Sequence, residues 1–489
     1  MTTSANVMQQ GRVFGNFVGG RWIPVDDSGA LARRNPADQR DLIGYIPRGS
    51  ADDVQSAVDA AASALDGWRA TPAPTRGRIL LRAAALIEQR RKEFAMLVTR
   101  EQGKTLSESR AEVDMTVKVL EYTAGEGRRM TGETLVSERP GHFVYTIRQP
   151  IGIVGLITPW NYPVVVPAWK IAPALVTGNT IIWKPSRLTP LSSEALMQLF
   201  VDAGVPAGVL NVVNGGGSVA GAALATHPSV RAISFTASYE VGTQIYANAA
   251  RLFKKVQCEA GGKNAVIVLA DADLERAADS IIVGALQCAG QRCSATSRVV
   301  VVEEVADALA EMLVKRSTAL QVGNGVTPGT DMGPIADETQ LPRILEAIEI
   351  GKREATLLCG GERLSGPTHR HGLFVSPTIF EHVAPTSHVA QEEIFGPVLS
   401  LMRVRDFADA ITVSNANRFG MCASVFSRDA NCLREAAERL ECGIVHLNAP
   451  TISAEVQAPF GGIKHTGVGD RELGSNATHF YTELKVVYA

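Results

Sequence analysis

The sequence lacks any strong imbalance of charge. Its 489 residues include 48 lysines and arginines against 50 aspartates and glutamates, which gives a formal net charge of −2. These charges are spread along the chain, whereas a nucleic-acid-binding protein gathers basic residues into a patch or stripe that meets the phosphate backbone. We therefore expect no nucleic-acid partner.

An apolar leader and long apolar runs are also missing. Residues 1–10 are polar and contain no apolar core of the length that a secretory signal needs. The most apolar stretch, 151–183, contains Lys170 and several prolines, among them Pro159 and Pro173, so it does not have the pattern of a membrane span. We therefore expect no membrane partner.

Cysteine is scarce and unpatterned. The seven cysteines, an odd number, are scattered without the spacing of a zinc site. This pattern favours a reducing, cytoplasmic location, where most of them would serve as small buried hydrophobic side chains. His369 and His371 have no cysteine or carboxylate partners at ligand spacing, which favours a solvated loop. The sequence therefore predicts no metal site.

The chain does have length and alternating patterns of secondary structure. Its size exceeds what one hydrophobic core usually organises, so two or more domains are expected. Residues 51–68 and 75–102 have the apolar spacing of helices. From 151 to 269 apolar runs alternate with helical segments, which is typical of a doubly wound parallel sheet with its ligand site at the carboxyl ends of the strands. The predicted strands are 153–157, 180–183, 209–213, 232–235 and 265–269, and the predicted helices are 164–176, 191–202, 219–225 and 241–249.

A second series from 274 to about 462 predicts a second α/β domain. Two further segments, 142–148 and 480–488, alternate at period two without a helix beside them, and exposed strand edges of this kind can pair with another chain. Within the second series the predicted helices are 307–315, 344–352 and 431–440, and the predicted strands are 298–302, 398–404 and 443–448.

Cys293 and Glu259 can supply a nucleophile and a base. A thiolate adds to an aldehyde carbon, and a carboxylate can activate the water that releases the product acid. Gly290 and the small residues 294–296 leave room for a substrate at the sulfur, and the uncharged residues 260–262 permit burial of Glu259. A structural cysteine and a buried structural carboxylate are the alternatives.

Two strand ends are candidates for a phosphate site. Lys184 to Arg187 follow one predicted strand, and Thr236 to Ser238 follow another. Strand ends that lead into helix N-termini offer free backbone donors to a pyrophosphate. The glycine run 215–217 is weaker, because it departs from the standard dinucleotide-binding pattern and a tight turn explains it equally well.

Four motifs, at 159–163, 259–263, 290–293 and 391–397, resemble those of the aldehyde dehydrogenases, and the resemblance covers nearly the whole chain. It implies two doubly wound α/β domains and a small β oligomerisation arm that builds a homodimer or homotetramer. The implied boundaries are 1–127 and 150–261 for the NAD(P)-binding domain, 262–465 for the catalytic domain, and 128–149 and 466–489 for the arm.

The resemblance also implies roles for individual residues. The Asn161 side chain and the Cys293 backbone N–H would bind the oxyanion, Lys170 would lie beside them, and Glu259 would drive hydrolysis of the thioester rather than transfer to coenzyme A. Glu472 matches a carboxylate of a proton path, although a surface ion pair is the favoured interpretation. The implied cofactor-binding residues are Ile157, Thr158, Pro159, Trp160, Lys184, Ser186, Arg187, Gly217, Phe235, Thr236, Ala237, Ser238, Val241, Gly262, Glu393 and Phe395.

The choice of cofactor depends on departures from the family pattern. Ala237 replaces a usual glycine, and Arg187 stands where NAD-preferring members carry a glutamate for the ribose. Together with Lys184 and Ser186, Arg187 would offer a 2′-phosphate charge-assisted hydrogen bonds. Two interpretations stay open: Arg187 binds the 2′-phosphate and the protein uses NADP, or Arg187 faces solvent and the protein uses NAD.

The substrate is less constrained. The family places Tyr162, Trp169, Gln287, Arg292, Ser294 and Phe460 in the substrate channel. Trp169 and Gln287 replace the arginine pair of succinate-semialdehyde dehydrogenases, which argues against that activity. The motifs are most similar to 2-oxoglutarate-semialdehyde dehydrogenases. Arg292 could bind an anionic substrate, and a structural role and a position facing the cofactor are the alternatives for it. The predicted function is NAD(P)-dependent oxidation of a small aldehyde to its carboxylate. An aromatic-aldehyde dehydrogenase of the benzaldehyde or vanillin type, a succinate-semialdehyde dehydrogenase and a non-catalytic binding protein on the same fold are the alternatives.

Overall fold

The computed structural model of the chain describes residues 12–25 and 29–489. The polar segment 1–10, in which a secretory signal was sought, lies outside the described residues. Within the described ranges, no helix is both long and apolar enough to cross a membrane.

The secondary structure alternates helices and strands along most of the chain. The α-helices are α1 Ala51–Ala70, α2 Ala73–Gln89, α3 Arg91–Gln102, α4 Leu106–Glu126, α5 Val165–Thr177, α6 Pro190–Asp202, α7 Ala222–Thr226, α8 Tyr239–Ala250, α9 Leu274–Leu286, α10 Glu303–Ala319, α11 Gln340–Glu354, α12 His388–Gln391, α13 Phe407–Asn415, α14 Ala430–Arg439 and α15 Asn476–Phe480. The strands are β1 Asn16–Val18, β2 Arg21–Ile23, β3 Leu31–Asn35, β4 Asp38–Ile46, β5 Thr134–Leu135, β6 Val144–Pro150, β7 Ile153–Ile157, β8 Thr180–Lys184, β9 Leu210–Val212, β10 Val230–Thr236, β11 Lys255–Glu259, β12 Asn264–Val268, β13 Thr296–Val302, β14 Thr356–Cys359, β15 Thr378–Glu381, β16 Val398–Val404, β17 Phe419–Gly420, β18 Cys422–Phe426, β19 Ile444–Leu447, β20 Ile463–Lys464, β21 Gly467–Val468 and β22 Thr482–Tyr488.

The first sheet has the order β2-β1-β9-β8-β7-β10-β11-β21, and its five strands from β9 to β11 run parallel. Alternate residues of β8 enter different cores, Ile181 and Trp183 on one face and Ile182 on the other. Because side chains alternate across a strand, both faces of this sheet are covered by helices. The predicted doubly wound α/β fold is thereby confirmed.

The second sheet has the order β14-β15-β16-β13-β12-β18-β19, with β14 antiparallel at one edge and the other strands parallel. One prediction is corrected here. The alternation of elements grouped the segment 265–269 with the first series, although the boundary at 262 implied by the resemblance separates the two, and the segment forms β12, which lies between β13 and β18 in the second sheet. An apolar run identifies a buried strand but not the sheet to which it belongs.

Strands β5, β6 and β22 form a separate three-stranded antiparallel sheet. The predicted strands 142–148 and 480–488 pair with each other, in a register that runs from Val144 opposite Tyr488 to Pro150 opposite Thr482. Residue 480 itself ends helix α15 rather than beginning the strand. Within the predicted arm, β21 pairs with β11 of the first sheet instead. The domain boundaries stay a prediction.

The predicted helix 75–102 is two helices, α2 and α3, which meet at Arg90. Helix α4 follows and was not predicted. It begins with a capping box, in which the Thr105 side chain accepts from the Glu108 backbone N–H and the Glu108 carboxylate accepts from the Thr105 N–H. The pattern Thr-Leu-Ser-Glu is the sequence signal for such a helix start.

Candidate active site

A cleft of about 1430 Å³ lies at the carboxyl ends of β7, β10 and β11 and extends to the turn that carries Cys293. Pockets for one small ligand hold roughly 300–1,000 Å³, so this cleft has room for a large ligand and a small one together. Its position matches the expected ligand site of a doubly wound sheet.

The cleft brings together most of the residues that the sequence singled out. Those that line it are Pro159, Trp160, Asn161, Tyr162, Trp169, Thr236, Ala237, Ser238, Val241, Glu259, Gln287, Arg292, Cys293, Ser294, Glu393, Phe395 and Phe460. Those that do not line it are Ile157, Thr158, Lys170, Lys184, Ser186, Arg187, Gly217, Phe235 and Gly262.

The turn before Cys293 has an unusual backbone. Cys288 and Ala289 have φ values of 53° and 52°, in the left-handed region that costs a non-glycine residue about 1–3 kcal/mol. Gly290 continues the left-handed run with φ 68°, and a Cβ there would collide with the carbonyl oxygen of Gly396. The strained turn therefore requires glycine at 290 and aims the chain so that Cys293 reaches the cleft.

The backbone of Cys293 is fixed from the second sheet. The Asn264 side-chain amide donates to the Cys293 carbonyl at 2.8 Å and to the Ala295 carbonyl at 2.9 Å. A Cβ on Gly262 would lie 2.6 Å from the same Cys293 oxygen, which explains a glycine there. Gly262 thus serves the close approach of two segments rather than lining the cleft.

The surroundings of Cys293 favour the thiol over the thiolate. Burial is the largest cause and raises the pKa of Cys293 to about 12, while the carboxylates of Glu259 and Glu393 add to the rise and Arg292 opposes it. Since the thiolate is the nucleophile, activation of Cys293 requires a group that takes its proton or a positive charge that stabilises the anion.

Glu259 ends strand β11 and is buried. Its Oε2 accepts from the backbone N–H of Gly462 at 3.3 Å, and a Cβ on Gly461 would collide with its Oε1. Burial, followed by the nearby Glu472 carboxylate, holds the pKa of Glu259 well above its usual range. A raised pKa is what a carboxylate needs to act as a general base near neutral pH.

Lys170 and Glu472 form a buried ion pair behind Glu259. Lys170 also donates to the Ser234 hydroxyl at 3.0 Å. The expectation that Glu472 makes a surface ion pair was wrong in location, because only 2% of Glu472 is exposed. The backbone of Glu472 forms a β-bridge with Phe460, which lines the cleft, and this pairing places Glu472 at the site.

Asn161 follows strand β7 and is buried at the cleft wall. Its side-chain amide donates to the Gln291 carbonyl at 3.2 Å, which engages one of its two N–H groups. Gln291 is itself fixed, because its amide donates to Cys288 at 3.0 Å and its Oε1 accepts from Ala336 at 2.9 Å. A second N–H of Asn161 is left for an oxyanion in the cleft.

Arg292 gives the cleft an uncompensated positive charge beside Cys293. Its guanidinium donates to the Gln287 Oε1 at 3.1 Å and to the Ile452 carbonyl at 3.5 Å, and it lies 5.2 Å from the centre of the Tyr162 ring. Over the described ranges, no carboxylate lies within 4.0 Å of it. A partly buried cation with neutral partners favours binding of an anion.

Aromatic side chains form a further part of the cleft wall. The rings of Trp169 and Phe460 lie 5.4 Å apart, and both pack with Tyr162 and Cys293 in one apolar cluster. The Ser294 side chain is buried beside them, and the Ser294 carbonyl accepts from Thr451 at 2.7 Å.

The strand ends fit a dinucleotide. Thr236 ends β10, and its hydroxyl is buried without a hydrogen-bond partner in the described part of the chain. Helix α8 begins just beyond, and its N-cap Ser238 makes no side-chain capping bond, so its first backbone donors face the cleft end. An unpaired hydroxyl next to free helix amides suits a phosphate group.

A second group of residues fits the far end of such a ligand. Glu393 accepts from Gly262 N at 3.0 Å, and burial raises the pKa of Glu393 to about 7. The rings of Trp160 and Phe395 meet edge to face at 5.5 Å, with Phe395 in the left-handed region at φ 55°. This backbone conformation turns Phe395 into the cleft.

The remaining predicted cofactor residues lie beside the cleft. Lys184 is buried and donates to the Pro185 carbonyl at 2.9 Å, and burial with the nearby Arg187 lowers the pKa of Lys184 to about 8. Arg187 is exposed and Ser186 half-buried. The Thr158 hydroxyl accepts from Trp183 at 2.9 Å and is used within the protein. Ile157 and Phe235 are buried, and Gly217 is exposed at the start of a π-helical turn, Gly217–Gly221.

Sequence reasoning missed four residues that hold the site: Asn264, Gln291, Lys104 and Glu112. Asn264 could have been noticed as a polar residue opening a buried apolar strand. Lys104 lies in the turn just before α4, the helix that was not predicted, and Glu112 lies within that helix, so no pattern pointed to them. Contacts between distant segments create the roles of all four.

Comparison with known proteins places this site in a family. The sequence model of the Aldehyde dehydrogenase family matches residues 22–487. The alpha-ketoglutaric semialdehyde dehydrogenase of Bacillus subtilis is 41% identical over 484 residues, which cover 99% of each chain. Among solved structures, an E. coli NADP dependent enzyme is similar with a TM-score of 0.94 and 36% identity, covering 100% of this chain and 99% of the other. Betaine aldehyde dehydrogenase from Staphylococcus aureus in complex with NAD+ has a TM-score of 0.95 and 33% identity, covering 99% and 97%.

Proposed function

The chain belongs to the aldehyde dehydrogenase family, and from that premise we propose that it oxidises a small semialdehyde with an anionic end to the carboxylate, using NAD or NADP. The proposed substrate is 2-oxoglutarate semialdehyde. The observation that carries this choice is Arg292, a cation beside Cys293 whose hydrogen-bond partners are neutral. A substrate carboxylate would complete its coordination.

The relatives support the same choice. The Bacillus subtilis enzyme, which shares 41% identity, is an alpha-ketoglutaric semialdehyde dehydrogenase, and that aldehyde carries a carboxylate. The solved neighbours include one NADP dependent enzyme and one bound to NAD+. The unpaired Thr236 hydroxyl and the start of α8 would hold the cofactor phosphates, and Glu393 would hold the ribose near the nicotinamide.

The proposed reaction begins at the Cys293 sulfur. The thiol would pass its proton to a water molecule in the cleft, and the thiolate would add to the aldehyde carbon to form a thiohemiacetal oxyanion. The free N–H of Asn161 and the Cys293 backbone N–H would donate to that oxyanion. Hydride acceptance is the chemistry that NAD(P)+ supplies when bound. The substrate carbon is then held on Cys293 as a thioester.

Hydrolysis of the thioester completes the proposed reaction. Glu259, with its raised pKa, would take a proton from water as the water attacks the thioester carbon. The carboxylate product leaves, and the sulfur regains a proton. The presence of Glu259 favours hydrolysis over transfer of the acyl group to coenzyme A.

We also propose a homodimer or homotetramer assembled through the sheet of β5, β6 and β22, where Leu484, Val486 and Tyr488 are exposed. Exposed apolar strands at a sheet edge are ready to pair with another chain.

All seven cysteines are free, and Cys293 must stay a thiol to act, so a reducing cytoplasmic location suits the proposed chemistry.

The test is a panel of aldehydes with each cofactor. 2-Oxoglutarate semialdehyde, succinate semialdehyde, benzaldehyde and pentanal would be compared by kcat/KM with NAD and with NADP. We expect the highest value for 2-oxoglutarate semialdehyde and no acyl-CoA when coenzyme A is added. A higher value for benzaldehyde or pentanal would overturn the substrate, and acyl-CoA formation would overturn hydrolysis.

A further inference from the structure

A buried ion pair lies behind the oxyanion asparagine and has no part in the reaction steps above. Lys104, in the turn between α3 and α4, donates to the Glu112 Oε2 at 2.7 Å, and neither side chain is exposed. The same ammonium donates to the backbone carbonyl of Asn161 at 2.6 Å and lies 3.7 Å from the centre of the Tyr162 ring. Lys104 therefore contacts both Asn161 and Tyr162, two neighbouring residues that line the cleft.

Glu112 extends this contact to the next residues of the chain. Its Oε1 accepts from the backbone N–H of Val164 at 2.8 Å and of Val165 at 3.2 Å. Helix α5 has no side-chain N-cap of its own, since Val164 occupies that position. The carboxylate supplies the missing acceptor and a favourable charge at the start of the helix.

The pair fixes one side of Asn161, and the cysteine turn fixes the other. Lys104 holds the Asn161 carbonyl, while the Gln291 carbonyl receives one N–H of the Asn161 amide at 3.2 Å. Together these contacts set both the backbone position and the side-chain direction of the oxyanion donor.

Stability alone does not explain such a pair. Two charges taken out of water lose hydration, and a buried ion pair is often no more stabilising than apolar residues of the same size. Its use here is geometric, since an oxyanion donor must be preorganised to be effective, and an error of about 1 Å in position can cost 10²-fold in rate.

We propose that Lys104 is a positioning residue, which with Glu112 holds Asn161 where its free N–H meets the oxyanion of the reaction. The inference rests on the proposed function, because it assumes that Asn161 binds that oxyanion. Lys104 itself lies behind Asn161 and acts through it.

The variant that isolates this role is Lys104→Met/Glu112→Gln. Removing both charges leaves no unpaired buried ion, and the glutamine oxygen can still accept from the two amides at the start of α5. The matched control is Arg100→Met/Asp41→Asn, which neutralises a pair joined at 2.7 Å and 2.9 Å in the last turn of α3, close to Lys104 in the chain but without a contact to Asn161. Both variants are made as full-length chains, and their activity is measured with NAD(P) and 2-oxoglutarate semialdehyde.

We expect kcat of Lys104→Met/Glu112→Gln to fall about 10- to 100-fold, with KM changed far less, while the control keeps its kcat. The decisive readout is a double-mutant cycle with Asn161→Ala. If Lys104 acts through Asn161, adding Lys104→Met/Glu112→Gln to Asn161→Ala lowers kcat no further.

Contrary outcomes separate the two claims. An equal fold-loss in the wild-type and Asn161→Ala backgrounds, or no loss at all, would overturn the positioning role. A wild-type kcat in Asn161→Ala alone would instead refute the oxyanion role within the proposed function. Should the double variant fail to fold, Lys104→Arg enters the same cycle, since it keeps the charge but shifts the donor.

Discussion

The substrate preference should depend on Arg292. Replacing it by methionine removes the guanidinium beside Cys293 while keeping a long unbranched side chain against Tyr162. Because its partners in the protein are the neutral Gln287 and Ile452 groups, Arg292 is free to bind a substrate carboxylate. A hydrogen bond to a charged group contributes about 1.5–3 kcal/mol, and each 1.4 kcal/mol is a factor of ten. The ratio of kcat/KM for 2-oxoglutarate semialdehyde to that for pentanal should therefore fall about 10- to 100-fold in Arg292→Met.

Pentanal serves as an internal control, because it has the same carbon chain length and no charge to bind. Arg418→Met is the matched variant, since Arg418 also lines the cleft but already pairs with Glu392 at 2.6 Å. It should leave the ratio of the two substrates unchanged. An unchanged ratio in Arg292→Met, or an equal loss with both aldehydes, would refute the anionic-end argument.

Two further predictions concern the cofactor and the fold. If Arg187 binds the 2′-phosphate of NADP, Arg187→Glu replaces that charge-assisted bond by repulsion and should raise the KM for NADP about 10- to 100-fold without raising the KM for NAD. Steady-state kinetics with both cofactors measures this, and equal shifts of the two KM values would contradict it. Burial raises the pKa of Glu101 from 4.5 to about 7 despite hydrogen bonds from Leu191 and Ser192. Between the two pKa values the folded state binds more protons at Glu101 than the unfolded state does. The free energy of unfolding should therefore fall as the pH rises from about 4.5 to about 7, by about 3 kcal/mol in total. Urea unfolding at several pH values over this range should show the fall in the wild type and not in Glu101→Gln. An identical pH dependence of the unfolding free energy in the two proteins would contradict the role of Glu101.

Parts of the fold followed from the sequence because their patterns are local. Strands such as β7 and β8 are continuous apolar runs buried on both faces, so their positions were predicted within a residue or two. Strand β11 was missed because its residues, Lys-Val-Gln-Cys-Glu, do not form an apolar run, although it carries Glu259. Assignment of β12 to the wrong sheet had a similar origin, since strand partners are non-local.

The site shows the same division. Cys293, Glu259 and Asn161 were identified from motifs, and the structure places all three at one cleft. The residues that position these three could not be predicted from the sequence. Lys104, for example, contacts Asn161 although the two are 57 positions apart in the chain. Burial of Glu472 likewise arises from its bridge to Phe460, a contact that no local pattern announces.

The most direct test of the covalent mechanism uses Glu259→Gln. This protein should retain the nucleophile and the oxyanion donors but lose the base that releases the acid, so it should transfer hydride about once per site and then stall. Intact-mass measurement after mixing with 2-oxoglutarate semialdehyde and NAD(P)+ should show one acyl group per chain, and peptide mapping should place it on Cys293. Reduced cofactor formed without any adduct, or an adduct on another residue, would contradict the assignment of Cys293 as the nucleophile and Glu259 as the base.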